Sequence, residues 1–458
     1  MKSSLPPAAA AADALGARLA RNRPSRRDTL WVFAAASAPM AVLQGCATSP
    51  VTGQRILVGM SPEQERAVDR QQAPHQFSAD MGSVQDDGLQ RYVDDVAKGL
   101  QAQVQRQDMA YDYRVLNANY VNAYTFPGGA MGVTRGIMTE LKDESELAAL
   151  LGHELGHVNA RHAAQRQGQQ MVAQVAVVGL AVAVGLNSDS PLAPLAGIGA
   201  QIGASALLSK YSRDHEREAD ALGQDYLVRA GYPGQGMTRL HEMLLSGNER
   251  QPSMLETMFS SHPMSLERRD IARQRAETIY ASSAGLSPRR ERFMDSTAAL
   301  RRIKPTIDAC KNGETALSRK QLPQAQGQFE TALRLTPDDY PANLRMAQTL
   351  HAQGRTAEAR RYVDNARRAY PQEAQAIKLS ATLKLSLKDP AGAFNDLQLF
   401  DRALPGDPGI LFFKGVALEG MGNQRGAAEH YAGFLRVNNQ GQAAQYSQAR
   451  LKSWGYLK

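Results

Sequence analysis

The residue types most capable of chemistry gather at His153-Glu154-Leu155-Gly156-His157. On a helix, two histidines four apart project from one face, so both imidazoles can reach one zinc ion while Glu154 lies beside the water such a site holds. A catalytic zinc site needs a third protein ligand and an open position. Glu216-Arg217-Glu218-Ala219-Asp220 offers one: Glu216 and Asp220 share a helix face, whereas Glu218 points nearly the other way. Glu216 can bind the metal while Asp220 reaches a liganding histidine from behind, fixing its tautomer and raising its basicity. His162 follows His153 by nine residues, which at 100° per residue turns it to the far side of a continuous helix. It is therefore read as structural, or as supporting a ligand from behind.

These residues need elements to position them. Asp143 is an N-cap with Glu146 three residues on, and Leu147, Leu150, Leu151, Leu155 and Val158 continue a helical stripe, so a helix is predicted over 144–167. A second helix carries residues 214–228 and closes at Gly231-Tyr232-Pro233-Gly234. Ser61-Pro62-Glu63-Gln64 reads as a helix start, and a further amphipathic helix is expected over 87–105, burying Leu89, Val93, Val96 and Leu100. Between them Tyr113, Val115, Tyr120, Tyr124 and Phe126 favour strand, and Pro127-Gly128-Gly129 breaks it, which gives two or three short strands.

The chain has 458 residues, 43% of them apolar and 21% charged, with a mean hydropathy of −0.41. That balance is too polar for a polytopic membrane protein. The net charge of +8 hints at polyanions, but residues 1–45 carry six basic and two acidic side chains, which is half of it. Nucleic-acid binding is thereby disfavoured. Those residues have the layout of an export signal: a basic stretch ending in Arg26-Arg27, an apolar run over 30–43, then Leu43-Gln44-Gly45-Cys46, which resembles a lipobox. Arg26-Arg27 followed by Leu30 resembles a twin-arginine signal. Cys46 is the expected lipidation site, which leaves Cys310 as the other cysteine, with no disulfide and no assigned role. Residues 171–208 are rich in alanine, valine and glycine. A single crossing there would put His157 and Glu216 on opposite sides of a bilayer, which leaves a returning hairpin or no crossing; the segment is read as helices covering the cleft or resting on the membrane, with an inserted hairpin as the other reading.

Beyond residue 305 the chain repeats itself. Ala325, Ala359, Ala393 and Ala427 stand 34 residues apart; so do Phe329, Val363, Leu397 and Tyr431, and Pro337, Pro371 and Pro405. This is the period of tetratricopeptide helix pairs, with four units and a capping helix over 442–454.

Taken together, these residues resemble the gluzincin family of zinc metallopeptidases that includes the CAAX prenyl endopeptidase and the bacterial heat-shock membrane protease. The likeness rests on His153-Glu-Leu-Gly-His157, Glu216-x-x-x-Asp220, Asn122-Ala123-Tyr124 leading into Pro127-Gly128-Gly129, and Ser261-His262-Pro263 with Arg268 following. It covers residues 51–276, and the export signal with C-terminal repeats is similar to a periplasmic branch of the family. The resemblance implies one Zn2+ per chain held by His153, His157 and Glu216, with Glu154 and Asp220 in the catalytic set. It implies that His262 is a candidate fourth ligand or regulatory switch. Arg268 becomes a candidate transition-state contact, with an ordinary surface role as the other reading. Asn122, Ala123 and Tyr124 form a candidate strand for an extended substrate.

The expected fold is an α+β metallopeptidase domain, helices with a small sheet, followed by an all-α tetratricopeptide solenoid. Its divisions are an export signal over 1–45, a peptidase domain over 46–290 and repeats over 305–458. The expected function is an exported zinc metalloendopeptidase, periplasmic and lipid-anchored to the outer membrane. Its substrates would be unfolded outer-membrane proteins, in quality control of misfolded or stalled clients, with the repeats recruiting clients or an assembly machine. A lipid-anchored chaperone or scaffold with little proteolysis is the alternative, and either would lie against a membrane surface.

Overall fold

A computed structural model describes residues 46–183, 211–250 and 262–457. The expected export signal over 1–45, and the part of the apolar segment beyond residue 183 together with its second arm over 192–208, lie outside the described residues. Among the described residues no helix is long and apolar enough to cross a membrane.

The described chain begins with an antiparallel hairpin, β1 (Cys46–Thr48) against β2 (Arg55–Leu57), in which Cys46 is exposed. Helix α1 (Pro62–Ala79) starts at a capping box: Ser61 Oγ accepts from Gln64 N, and the Gln64 side chain accepts from Ser61 N. Helix α2 (Asp87–Gln101) buries Leu89, Val93, Val96 and Leu100, and ends four residues before the sequence expectation. There Gln103 and Val104 turn back onto the carbonyls of Leu100 and Gln101, which tightens the last turn and stops the helix.

Three short strands form the expected small sheet, β3 (Asp112–Leu116), β4 (Ala123–Thr125) and β5 (Ala130–Thr134), in the order β3-β5-β4. β3 runs parallel to β5, and β4 antiparallel to it with Tyr124 opposite Gly132. The Tyr124 ring lies over Gly132, where a Cβ would sit 2.8 Å from the ring. A short helix α3 (Arg135–Met138) follows, and then the central helix α4 (Glu144–Asn159), capped by Asp143 and buried along its whole length.

The predicted helix over 144–167 is in fact two. α4 stops at Asn159, Arg161 takes a left-handed φ of +60°, and α5 (His162–Ala183) starts in a new direction. No glycine marks the break. A buried clamp holds it: Arg161 Nε lies 2.9 Å from Glu65 Oε1, and Arg161 Nη2 donates to the Met60 carbonyl at 2.7 Å. The cost of the unusual backbone, of order 1–3 kcal/mol, is offset by that charge-assisted pairing.

Helix α6 (Arg213–Arg229), capped by Ser212, packs directly on α4. α7 (Gln235–Arg250) and α8 (Leu266–Glu277) close the other side. The stretch between the two expected divisions is folded: α9 (Arg290–Ser296) and α10 (Ala298–Arg302) bury Phe293 and Leu300 in the same core as α4. Four helix pairs then stack: α11 (Lys304–Ser318) with α12 (Leu322–Leu335), α13 (Tyr340–Ala352) with α14 (Thr356–Ala369), α15 (Ala374–Ser386) with α16 (Pro390–Ala403), and α17 (Pro408–Gly420) with α18 (Gln424–Val437). α19 (Gly441–Ser453) caps them. The repeating alanines are fully buried and the large residues four further on fill the space beside them. The α+β domain followed by an all-α solenoid is thus the architecture of this chain.

The solenoid sits against the sheet domain. Met81, in a left-handed turn after α1, packs among Tyr340, Leu344, Ala366 and Ala376. Ser78 donates to Glu373 at 2.5 Å, and the buried Arg135 pairs with Asp339 at 2.6 Å.

Candidate metal centre

Two helices make the site, and small residues let them touch. A Cβ added at Gly156 would lie 2.8 Å from the Ala219 carbonyl oxygen, and one at Gly223 would lie 2.6 Å from the His153 nitrogen. Gly152 and Gly156 on α4 thus face Ala219 and Gly223 on α6 with backbone against backbone. That close approach brings Glu216 to the two histidines.

His153 Nε2 and His157 Nε2 stand 3.1 Å apart. Glu216 places its carboxylate oxygens 3.6 Å from His153 Nε2 and 3.5 Å from His157 Nε2. His262 closes the group, its Nδ1 lying 3.3 Å from His153 Nε2 and 3.1 Å from Glu216 Oε1. All four side chains are buried, and each offers one ligand atom to the same point. Donors held at 2.0–2.1 Å around a tetrahedral ion stand roughly 3.3 Å apart. The printed pairs stand 3.1–3.6 Å apart, near that edge, and the four donor atoms all lie within 4.8 Å of one another, so the residues could hold a metal ion.

Glu154 lies beside this cluster, and neither of its buried oxygens has a hydrogen-bond partner among the described residues. Burial pushes its carboxyl above the ordinary range, against the pull of His262 and His153. An acceptor held ready in this way suits a group that takes up a proton. Burial, with His153 and His162 close by, holds His157 well below the usual imidazole range, so its ring is neutral and able to ligate.

Asp220 stands behind His153, its Oδ1 2.9 Å from Nδ1. Burial works against its charge, but Arg268 and His241 outweigh it and keep the carboxyl well below the usual range. Arg268 is not a surface residue: it is 5% exposed. Its guanidinium bonds Asp220 at 2.6 and 2.7 Å, lies 2.7 Å from Glu216 Oε2 and donates to the Pro263 carbonyl. Those contacts tie Arg268 to the carboxylates of Asp220 and Glu216. Its place reflects Ser265, which caps α8 and sets the register in which Arg268 turns inward.

Glu218, expected to point away, bonds His162 at 3.0 Å, because the break at Arg161 carries His162 back over the site. His241, which faces Asp220 at 3.3 Å, and Tyr211, stacked on His157 with ring centroids 4.0 Å apart, carry no motif in the sequence. The glycines do carry one, since small residues four apart on both helices signal close contact. Asn122, Ala123 and Tyr124 lie in and beside β4, buried at the sheet's edge next to α4.

Residues 83–276 match the model of peptidase family M48, and residues 316–383 match that of the tetratricopeptide repeat. This chain carries an M48 peptidase domain and tetratricopeptide repeats. The chain is 30% identical over 206 residues to the beta-barrel assembly-enhancing protease of Yersinia pestis, covering 44% of this chain and 42% of that one. It is 33% identical over 174 residues to the metalloprotease YcaL of Escherichia coli, covering 36% of this chain and 61% of the other. The Escherichia coli beta-barrel assembly-enhancing protease is 29% identical over 198 residues, 43% of this chain and 40% of that protein. The matches thus span about two fifths of the length of the assembly-enhancing proteases. An M48 domain is a metallopeptidase, and His153, His157, Glu216 and His262 are the group among its described residues that could hold the metal.

Proposed function

We propose that this chain is a zinc-dependent endopeptidase of the cell envelope that cleaves unfolded or stalled outer-membrane proteins. The observation that carries the enzymatic part is the buried Glu154 carboxylate, which makes no hydrogen bond among the described residues and lies 3.7 Å from His262 Nε2, beside the converging donors of His153, His157 and Glu216. A scaffold has no use for such a group. When bound, zinc supplies Lewis acidity, making water nucleophilic near neutral pH and polarising a peptide carbonyl.

The rest is the work of the chain. Glu154 accepts the proton of the attacking water and returns it to the departing amine. Asp220 and Arg268 hold His153 and Glu216 in place. β4 ends the sheet, and its backbone bonds to β5 at Asn122 and Phe126, so by the antiparallel alternation Ala123 and Thr125 turn their backbone outward. An extended substrate adds there as a further strand, with Asn122, Ala123 and Tyr124 alongside its backbone. His262 would take the fourth corner of the cluster, and on this reading it moves aside for turnover.

The envelope location rests on the lipobox-like segment at Cys46, the twin-arginine-like leader, and relatives whose name refers to β-barrel assembly. The repeats recruit clients or an assembly machine. Incubating an unfolded outer-membrane protein with the chain tests the reading. Wild type should cleave, chelator and Glu154→Gln should each abolish cleavage, and His262→Ala should accelerate it. Equal cleavage by wild type and Glu154→Gln would refute the assignment of the base.

A further inference from the structure

Behind His157 runs a line of side chains that the metal set does not account for. His157 Nδ1 stands 2.8 Å from His162 Nδ1, and His162 Nε2 stands 3.0 Å from Glu218 Oε2. Both imidazoles are buried, and Glu218 at the far end is 33% exposed. Tyr211 stacks on His157 at an interplanar angle of 21°, and His215 stacks on His162 at 18° with centroids 4.3 Å apart. Each ring is therefore held in a fixed orientation, the two tilted 73° to one another.

The donors and acceptors along this line can be followed from its open end. An ionised carboxylate only accepts, so His162 Nε2 carries the proton that meets Glu218. In a neutral imidazole the other nitrogen is then an acceptor, and that atom faces His157. His157 Nδ1 must supply the proton between the two rings, which leaves the lone pair of His157 on Nε2. That nitrogen is the one standing in the donor cluster, 3.1 Å from His153 Nε2. Reversing any one member of the line would set two donors or two acceptors face to face inside the protein, which is unfavourable.

We propose that Glu218, acting through His162, fixes the tautomer of His157 that presents Nε2 as a metal ligand. Both are positioning residues, and the proposal rests on the reading that the cluster holds a metal. The two liganding histidines are then served alike by an anion behind the ring. Asp220 touches His153 directly, whereas Glu218 reaches His157 through an intervening imidazole. The relay exists because the chain turns at Arg161: had α4 run on, His162 would face away and His157 Nδ1 would lack this partner.

Glu218→Lys replaces an acceptor by a donor at a part-exposed position, and Glu218→Gln restores an acceptor oxygen. Two measurements on the full chain decide the matter. Zinc affinity, by competition with a chromogenic chelator, should fall about 10- to 100-fold in Glu218→Lys and His162→Phe and only a few-fold in Glu218→Gln. Imidazole 15N spectra of the metal-free protein should show His157 protonated at Nδ1 in wild type and in Glu218→Gln, and a mixture of tautomers in Glu218→Lys. A structural role alone would leave that spectrum unchanged. Wild-type affinity together with the wild-type tautomer in Glu218→Lys would overturn the proposal. Wild type that binds no zinc would instead overturn the metal reading, and the metal-free spectra would still report the tautomer. If Glu218→Lys fails to give the wild-type circular dichroism, Glu218→Ala carries the same two measurements, with the same results expected and the same result overturning the proposal.

Discussion

Asp220 Oδ1 stands 2.9 Å from Nδ1 of His153, on the side of the ring away from the nitrogen that joins the donor cluster. Two helices carry the pair, and Arg268 fixes the carboxylate with bonds of 2.6 and 2.7 Å. Where the cluster holds a metal, that carboxylate would keep a proton on Nδ1 and leave Nε2 of His153 free to ligate.

Replacing Asp220 by Asn keeps the volume but lets an amide donor face the ring. Zinc affinity of Asp220→Asn should fall about 10- to 100-fold, as read by chelator competition, while the far-ultraviolet circular dichroism stays that of wild type. An affinity within twofold of wild type would show that His153 needs no such partner.

The contact between the two metal-bearing helices has no room for a methyl group. A Cβ at Gly223 would meet the nitrogen of His153 at 2.6 Å and the carbonyl carbon of Gly152 at 2.7 Å, both of them backbone atoms that cannot swing aside. Gly223→Ala should therefore push α6 off α4, destabilise the chain by about 1–3 kcal/mol in urea unfolding, and weaken metal binding in the same protein. Loss of stability with full metal affinity would mean that Glu216 follows His153 and His157 through the shift.

How much of this is legible in the sequence depends on the range over which each cause acts. The pairs His153–His157 and Glu216–Asp220 are readable because helical geometry alone puts residues four apart on one face. The repeats are readable because the period of 34 reports itself, and the buried alanines at 325, 359, 393 and 427 fill the slots the pattern reserves. Spacing puts His162 on the far side only if the helix continues. The break that redirects it is made by Glu65, which is 96 residues away from Arg161 and leaves no local mark. Phe293 and Leu300 escape a sequence reading for a related reason: a short, charged stretch looks like a linker until the core it joins is known. Arg268 looks like a surface arginine because nothing nearby in sequence announces its partners, 48 residues upstream at Asp220 and further back at Glu216.

Asp69 gives a pH signature away from the metal cluster. Its carboxylate accepts from Gly128 N at 2.6 Å and Ala130 N at 2.7 Å and so pins the turn after β4. Burial nevertheless pushes its carboxyl up to about 7, against the pull of those two bonds. The folded chain thus holds a proton on Asp69 that an unfolded aspartate, near 3.9, has lost. The corresponding stability is complete below about pH 4 and is lost as pH rises through about 7, with a slope of up to about 1.4 kcal/mol per pH unit. Urea unfolding of wild type and Asp69→Asn should show the stability of wild type relative to the variant falling between pH 5 and pH 8. A relative stability that grows over that interval would mean that Asp69 is ionised in the folded chain throughout.

The seam between the two halves of the chain rests on a buried ion pair. Arg135 Nη1 lies 2.6 Å from Asp339 Oδ2, both side chains are no more than 4% exposed, and Asn119 accepts from the other edge of the guanidinium at 2.6 and 2.9 Å. Asp339 also caps α13 by accepting from Ala342 N, so the pair joins the start of α3, directly after β5, to the first turn of a repeat helix. Removing one partner leaves the other charged and dry, which costs about 3–5 kcal/mol, whereas removing both charges together costs much less. Arg135→Met should accordingly be less stable than the double variant Arg135→Met with Asp339→Asn, in which the amide still caps the helix. Urea unfolding of the two singles and the double closes the cycle and reads the coupling directly. Single and double variants of equal stability would mean that water or a neighbouring group satisfies Asp339 once Arg135 is gone, and that the repeats are held in place by the packing of Met81 instead.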